Sequence, residues 1–158
     1  MHVQDASLDA MKRTSARFFI DTNIFVYAFD ASDRVKQGQA QELIRHALGS
    51  CKGVVSTQVV QEFLNVALRK FEVPLSVSDA ARYVRAVFEP LCSVFPTIDS
   101  YEHALGLKVE TGFQLYDSLI VSAAITAECE VLYSEDLQHL RTVQGTTIRN
   151  PFIEGFRW

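Results

Sequence analysis

Short apolar segments alternate with helical patterns along this chain. We predict five short strands, at residues 17–20, 53–55, 93–95, 131–133 and 147–149. Strands that alternate with helices are joined by right-handed crossovers, which make the sheet parallel and cover both of its faces. The sequence therefore predicts an α/β fold, a single three-layer α/β/α domain with a central, mostly parallel sheet of about five short strands.

The helical segments are bounded by residues that start or stop helices. We expect a short helix through 25–29 and longer ones over 34–48, 57–70, 76–90, 99–110 and 114–127. Gly49 follows the second of these and is the expected stop, because glycine readily takes the left-handed conformation that ends a helix. Pro90 is expected to end the fourth, since proline disrupts a helix interior.

The length of 158 residues fits one domain, and 48% hydrophobic with 22% charged residues is ordinary for a globular protein. We expect residues 1–16 to be a flexible extension, 17–152 to form the domain and 153–158 to be a tail. The extension has no apolar core typical of a secretory signal, and Met11 offers an alternative start. Three cysteines without paired spacing predict free thiols in the cytoplasm. We find no apolar run of the roughly 20 residues that span a membrane.

Four acidic residues occupy positions where a carboxylate is costly. Asp21 and Asp136 follow predicted strands, whereas Glu62 and Asp117 lie within apolar helical stripes. No Lys or Arg lies next to any of them in the sequence, although buried carboxylates need a counter-charge. Ligands of open α/β sheets bind at the carboxyl ends of strands, and acids near helix N-termini can point back to those ends. We therefore expect the four carboxylates to share one crevice with a cation.

A set of carboxylates without His or Cys suits a hard cation, Mg²⁺ or Mn²⁺. Such a site suits phosphodiester hydrolysis, because a divalent ion activates water without a side-chain base. Each acid also has a simpler interpretation. Asp21 can cap a helix, and Glu62 can be exposed. Asp117 can interact favourably with the dipole of its helix, and Asp136 can stabilise a turn. One shared cause explains all four together more economically.

Charge is distributed unevenly along the sequence. The net charge is −4 and the isoelectric point about 5.5, which at first argues against a nucleic-acid partner. However, residues 34–85 carry eight basic and four acidic residues, whereas 99–136 carry one basic and eight acidic residues. The negative charge thus lies mainly in the half that supplies Asp117 and Asp136. Four basic residues near Pro74 could steer RNA phosphates, or could simply be solvated: Arg69, Lys70, Arg82 and Arg85.

Four motifs in order resemble those of PIN-domain nucleases, specifically the VapC-type toxins of bacterial toxin-antitoxin pairs. They are FIDTN at 19–23, STQVVQE at 56–62, YDSLIVSAA at 116–124 and LYSED at 132–136, and IRNPF at 148–152 resembles the last strand of that family. The resemblance spans residues 17–152. It implies a metal-dependent endoribonuclease with an RNA substrate, a cognate antitoxin and a homodimeric, cytoplasmic state.

The same resemblance implies roles for individual residues. It carries the catalytic and metal-binding roles over to Asp21, Glu62, Asp117 and Asp136, and supporting polar roles to Thr22, Asn23 and Ser134. Glu135 is an extra acid, and we favour Asp136 over it because Asp136 has the family's spacing from Ser134.

Two other functions stay open from the residues. Asp21 could be the nucleophile of a phosphatase or phosphoacceptor, although Asn23 replaces the second Asp of such signatures. A non-catalytic PIN-like scaffold would have no need of all four acids. A set of aromatic residues could line a groove for a partner or belong to the core: Phe25, Tyr27, Phe29, Phe71, Tyr83 and Phe88.

Overall fold

A six-stranded sheet forms the centre of the molecule. The computed structural model describes residues 16–154 and 156, so most of the predicted extension and part of the predicted tail lie outside the described residues. The strands are β1 (Phe18–Ile20), β2 (Gly53–Ser56), β3 (Cys92–Val94), β4 (Val131–Tyr133), β5 (Thr142–Val143) and β6 (Thr146–Arg149). Their order in the sheet is β3-β2-β1-β4-β6-β5, and every pair is parallel except β5 with β6.

The prediction of a mostly parallel sheet between helical layers is confirmed, but about five strands was one too few. The missed strand β5 has two residues and forms an antiparallel hairpin with β6. Gln144 and Gly145 connect them with φ angles of 46° and 89°. A strand of two residues is too short to produce the alternation from which strands are predicted.

Seven α-helices surround the sheet in the described part of the chain. They are α1 (Thr22–Tyr27), α2 (Arg34–Ser50), α3 (Thr57–Ala67), α4 (Val77–Tyr83), α5 (Glu89–Leu91), α6 (Ile98–Thr111) and α7 (Leu115–Thr126). A π-helical turn, Val84–Phe88, joins α4 to α5. None of these helices is both long enough and apolar enough to cross a membrane.

Two predicted helix stops were wrong. Helix α2 continues past Gly49, and Cys51 instead takes the left-handed conformation, with φ 57°. Pro90 does not end its helical segment, because it lies in the first turn of α5, where a missing N–H costs little. The preceding π-helical turn lets the chain restart there. Helix α3 also ends at Ala67 rather than at residue 70, and Leu75 N donates to Ala67 O (2.9 Å).

The core lies on both faces of the central strands. All three residues of β1 are buried, as parallel strands covered on two faces require. Helix α2 approaches β2 so closely that a Cβ at Gly53 would lie 2.4 Å from the Cβ of Ala47. Phe25, Phe63 and Phe88 are fully buried. The ring centroid of Phe88 lies 4.8 Å from that of Phe25 and 5.2 Å from that of Phe63, so these three aromatic residues belong to the core.

Strands β1 and β4 are neighbours whose connections leave in opposite directions. The chain proceeds from β1 to β2 and β3 on one side, and from β4 to β5 and β6 on the other. The carboxyl ends of β1 and β4 therefore form the switch point of the sheet, where α/β proteins bind ligands. Asp21 follows β1 directly, and Asp136 lies three residues after β4.

Candidate metal centre

Asp21 is the buried member of the acidic set. It is the N-cap of α1, and its Oδ1 accepts a hydrogen bond from Thr22 N (2.7 Å). Its Oδ2 accepts from Ser134 Oγ (2.8 Å) and from Asn23 Nδ2 (3.4 Å). The pKa of Asp21 is nevertheless raised from 3.8 to about 7, mainly by burial and in part by the charges of Glu62 and Asp136, against the lowering effect of the donors Ser134 and Thr22. Capping is therefore only part of its role.

Glu62 points into the crevice, an orientation that its position in the sequence did not decide. Its Oε2 accepts from Thr22 Oγ1 (2.6 Å), and its Oε1 accepts from Gln58 Nε2 (2.7 Å). Gln58 lies one turn earlier on α3 and also donates to Tyr116 O (3.1 Å) at the start of α7. One amide thus ties Glu62 to the helix that carries Asp117.

Asp136 is held beside Asp21 by two polar residues. Asn23 Nδ2 donates to Asp136 Oδ2 (3.0 Å), and the backbone N of Asp136 donates to Ser134 Oγ (3.2 Å). Ser134 itself is fully buried. Asn23 donates to both carboxylates, and Ser134 joins the Asp21 carboxylate to the backbone of Asp136, so the two residues link the ends of β1 and β4.

Asp117 lies in the first turn of α7 and is half-buried. Burial raises its pKa, and the charges of Asp136 and Glu62 add to the increase. We find no hydrogen bond or ion pair to its carboxylate within residues 16–154 and 156. Asp117 thus interacts electrostatically with Asp136 and Glu62, the same two acids that act on Asp21.

The neighbouring acid, Glu135, turns away from this group. Its Oε1 lies 2.5 Å from Lys36 Nζ, and that ammonium group lies 4.7 Å from the ring centroid of Tyr27 and 5.4 Å from that of Phe152. By contrast, none of the four clustered carboxylates forms an ion pair with Lys, Arg or His in the part of the chain that the structure describes. The geometry thus places Asp136, and not Glu135, among the clustered acids.

The donor set fits a divalent cation held by oxygen atoms. No three His, Cys, Asp or Glu side chains among the described residues already stand in a metal-binding arrangement. However, burial raises the pKa values of Asp21 and Asp117, and nearby carboxylates add to the increase, so the group carries a repulsion that a cation would relieve. Four carboxylates with neutral hydroxyl and amide neighbours are the ligands that Mg²⁺ and Mn²⁺ prefer.

A cleft of about 520 Å³ opens beside these carboxylates. It is lined by Thr22, Asn23, Val26, Tyr27, Glu62, Asn65, Val66 and Asp136. A volume in this range is typical of pockets that hold small ligands. The cleft therefore gives a ligand access to at least two of the clustered acids.

Two residues near the site, Gln58 beside Glu62 and Lys36 beside Glu135, were not predicted from the sequence. Gln58 had a recognisable signal, since it lies four residues before Glu62 on the same helix and such residues are neighbours. Lys36 had none, because it is 99 residues from Glu135 and only the assembled fold brings the two together.

Comparison with known proteins identifies the family. A PIN domain profile matches residues 18–144. No curated protein matches the sequence significantly. Similar solved structures include a toxin-antitoxin complex from Klebsiella pneumoniae, with TM-score 0.61 and 19% identity over 85% of this chain and 97% of that chain. VapC20 of Mycobacterium tuberculosis, described as a toxin that cleaves the sarcin-ricin loop, has TM-score 0.55 and 20% identity over 74% and 88%.

A third similar structure is VapBC2 from Rickettsia felis bound to a fragment of its promoter DNA, with TM-score 0.56 and 16% identity over 84% of this chain and 97% of that chain. At these identities the three structures show a shared fold. The profile match covers well over half of the sequence and agrees with the parallel sheet and the acids at its switch point. The chain belongs to the PIN domain family.

Proposed function

We propose that this protein is a Mg²⁺- or Mn²⁺-dependent endoribonuclease and the toxin of a type II toxin-antitoxin pair. The observation that carries the proposal is the group of four mutually repelling carboxylates at the switch point of a PIN fold. A buried carboxylate such as Asp21 with other acids beside it is unfavourable for stability, which points to a functional reason. The toxin-antitoxin structures that share the fold support this reason.

The side chains divide into those that hold the ion and those that orient the holders. Asp21, Glu62, Asp117 and Asp136 would bind the cation, which when present lowers the pKa of a water molecule and stabilises charge on the phosphate. Thr22 and Gln58 orient Glu62 by donating to its two oxygens. Ser134 and Asn23 do the same for Asp21 and Asp136. This division assigns supporting roles to Thr22, Asn23 and Ser134.

The wider biological setting is part of the same proposal. We expect the nuclease domain to comprise residues 17–152, with a flexible extension before it and a tail after it. The expected substrate is RNA, and the expected partners are a cognate antitoxin and a second copy of the chain. The expected location is the cytoplasm, where such a toxin meets its RNA.

A phosphoacceptor function fits the geometry less well. Asp21 is 7% exposed, and both of its oxygens already accept hydrogen bonds. A nucleophilic carboxylate needs a free oxygen that faces the incoming phosphorus atom. The position of Asp21 is better suited to holding an ion from one side.

The decisive activity test uses purified protein and single-stranded RNA with Mg²⁺ or Mn²⁺. Replacing Asp117 by Asn is expected to lower the cleavage rate roughly 1,000-fold, as loss of one charge-stabilising group can do. Asp99→Asn is a matched control, because Asp99 is an exposed acid in the first turn of α6, whereas Asp117 lies in the first turn of α7. Cleavage by Asp117→Asn at the rate of the wild type and of Asp99→Asn would refute the assignment.

A further inference from the structure

The cleft extends beyond the carboxylates into a region that metal binding does not use. On this side it is lined by Val26 and Tyr27 of α1 and by Asn65 and Val66 of α3. We propose that this region, the α1–α3 subsite, binds one nucleobase of a single-stranded RNA beside the scissile phosphate, and that Asn65 determines which base is preferred. This inference rests on the proposed ribonuclease function.

The apolar wall of the α1–α3 subsite consists of Val26, Tyr27 and Val66, and neighbouring side chains hold the Tyr27 ring in place. Tyr27 packs edge-on against Phe152, with ring centroids 5.0 Å apart and an interplanar angle of 70°. Lys36 Nζ lies 4.7 Å from the centroid of the Tyr27 ring, and Lys36 is itself paired with Glu135. A ring held in this way loses little conformational freedom on binding, which favours contact with a flat base.

The polar rim of the subsite supplies a donor and a cation. Arg69 Nη1 donates to Asn65 Oδ1 (3.2 Å), which orients the Asn65 amide. The Asn65 NH₂ group has no hydrogen-bond partner of its own in the part of the chain described, and both side chains are exposed. An oriented amide can donate to the edge of a base, and a guanidinium can contact a phosphate.

The order of these groups along α3 fits a nucleotide strand. Glu62 comes first, Asn65 and Val66 lie about one turn later, and Arg69, which donates to Asn65, follows the end of the helix. A strand with one phosphate at the cation-binding carboxylates would thus have its base on the wall and the next phosphate near Arg69. Single-stranded RNA is recognised through such unstacked bases and their polar edges. A peptide would need no such alternation of charge.

The first test measures binding with Ca²⁺ in place of Mg²⁺, so that metal is present while cleavage is suppressed. Fluorescence anisotropy compares a labelled RNA pentamer with a pentamer of the same length that has no bases. The wild type is expected to bind the RNA about 10-fold more tightly, a difference that base stacking on aromatic side chains produces. Equal affinities for the two pentamers would overturn the inference.

The second test compares cleavage preferences on RNA with randomised positions. We expect Asn65→Ala to relax the preference for one base next to the cut about 10-fold, with more effect on KM than on kcat. Arg69→Gln should weaken binding to all sequences alike. The matched controls, Gln61→Ala on α3 and Arg45→Gln on α2, change exposed residues that do not line the cleft, and should behave as the wild type does.

The outcomes separate the inference from the function on which it rests. Cleavage whose base preference is the same in Asn65→Ala and the wild type would overturn the subsite and leave the ribonuclease assignment intact. Base-dependent binding that Asn65→Ala abolishes, in a wild type that cleaves no RNA, would support the subsite and refute the ribonuclease. Variants that bind and cut RNA normally but escape inhibition by an antitoxin would assign the cleft to a peptide and overturn the inference.

Discussion

Glu135 and Asp136 are adjacent in the sequence but lie in opposite electrostatic surroundings. Glu135 is paired with Lys36, whose ammonium group also faces the rings of Tyr27 and Phe152. Asp136 receives only the amide of Asn23, and its charge raises the pKa values of Asp21 and Asp117. The fold thus gives Glu135 a cationic partner and leaves Asp136 without one among the residues described.

The difference shows that a general shortage of basic residues does not explain why the clustered acids lack cationic partners. Lys36 reaches the loop after β4 and could have neutralised a clustered carboxylate, yet it binds the one acid that points away. The clustered carboxylates retain a repulsion that an internal pair would have removed. We propose that their counter-charge comes from outside the chain, and the following predictions test this contrast.

The largest expected effect is on catalysis. Asp136→Asn should lower the rate of RNA cleavage roughly 1,000-fold, because a ligand that stabilises developing charge is lost. Glu135→Gln removes the neighbouring charge and should change the rate by no more than about twofold, since surface-like substitutions away from reacting groups have small effects. Single-turnover cleavage assays with saturating Mn²⁺ measure both. Equal losses in the two variants would break the distinction between the neighbours.

The second largest effect is expected on the free energy of unfolding of the metal-free protein. Because the folded-state pKa of Asp21 is about 7 and its ordinary value is 3.8, the folded protein retains this proton to higher pH than the unfolded chain does. The contribution of Asp21 to the free energy of unfolding is therefore fully present below about pH 4 and is lost as pH rises to about 7.

Asp21→Asn should lack this decline, and at pH 8 it should be more stable than the metal-free wild type by up to roughly 4 kcal/mol, at about 1.4 kcal/mol per pKa unit. Urea unfolding of both proteins in a chelator between pH 4 and 8 measures the difference. A wild type that gains stability relative to Asp21→Asn across this range would contradict the raised pKa.

A smaller effect is expected from the groups that orient the carboxylates. Ser134→Ala removes the hydroxyl that donates to Asp21 Oδ2 (2.8 Å) and accepts from Asp136 N (3.2 Å). Loss of such an outer partner should weaken Mn²⁺ binding by about 10-fold. Ser78→Ala, at an exposed serine of α4, serves as the control. Identical Mn²⁺ affinities in the two variants would show that Ser134 does not orient the site.

The smallest effect is expected from breaking the ion pair between Lys36 and Glu135. Lys36→Met leaves the Glu135 carboxylate without its cation, and Glu135 Oε2 is already buried without a hydrogen-bond partner among the residues described. We expect a loss of about 1 kcal/mol in the free energy of unfolding, because the pair is partly exposed. Thermal unfolding measures it against Lys70→Met, and adding Glu135→Gln to Lys36→Met should restore stability. Failure of that rescue would argue against the pair.

Local sequence patterns were sufficient to predict most of the fold. The apolar strands β1, β2 and β4 and the start of α4 follow from residues within a few positions of each other, such as Ser76 accepting from Asp79 N. The errors arose where tertiary packing overrides a local signal. Gly49 and Pro90 are strong stops in isolation, but the packing of α2 and the π-helical turn before α5 carry the chain past both.

The candidate site was predictable in its acids but not in its surroundings. Asp21 and Asp136 follow strands, and strands of a parallel sheet bring their carboxyl ends together, so their proximity follows from topology. The separation of Asp136 from Glu135 depends on Lys36, which comes from a helix 99 residues away. The cleft next to Asn65 likewise exists only where α1 and α3 meet.

The central claim is that the four carboxylates take their counter-charge from a bound divalent cation. Calorimetric titration of Mn²⁺ at pH 7.5 into the wild type, Asp21→Asn, Asp117→Asn and Glu135→Gln tests it most directly. We predict that the wild type and Glu135→Gln bind Mn²⁺ alike, while Asp21→Asn and Asp117→Asn lose binding. Binding of equal affinity in all four proteins, or no binding to the wild type, would contradict the claim.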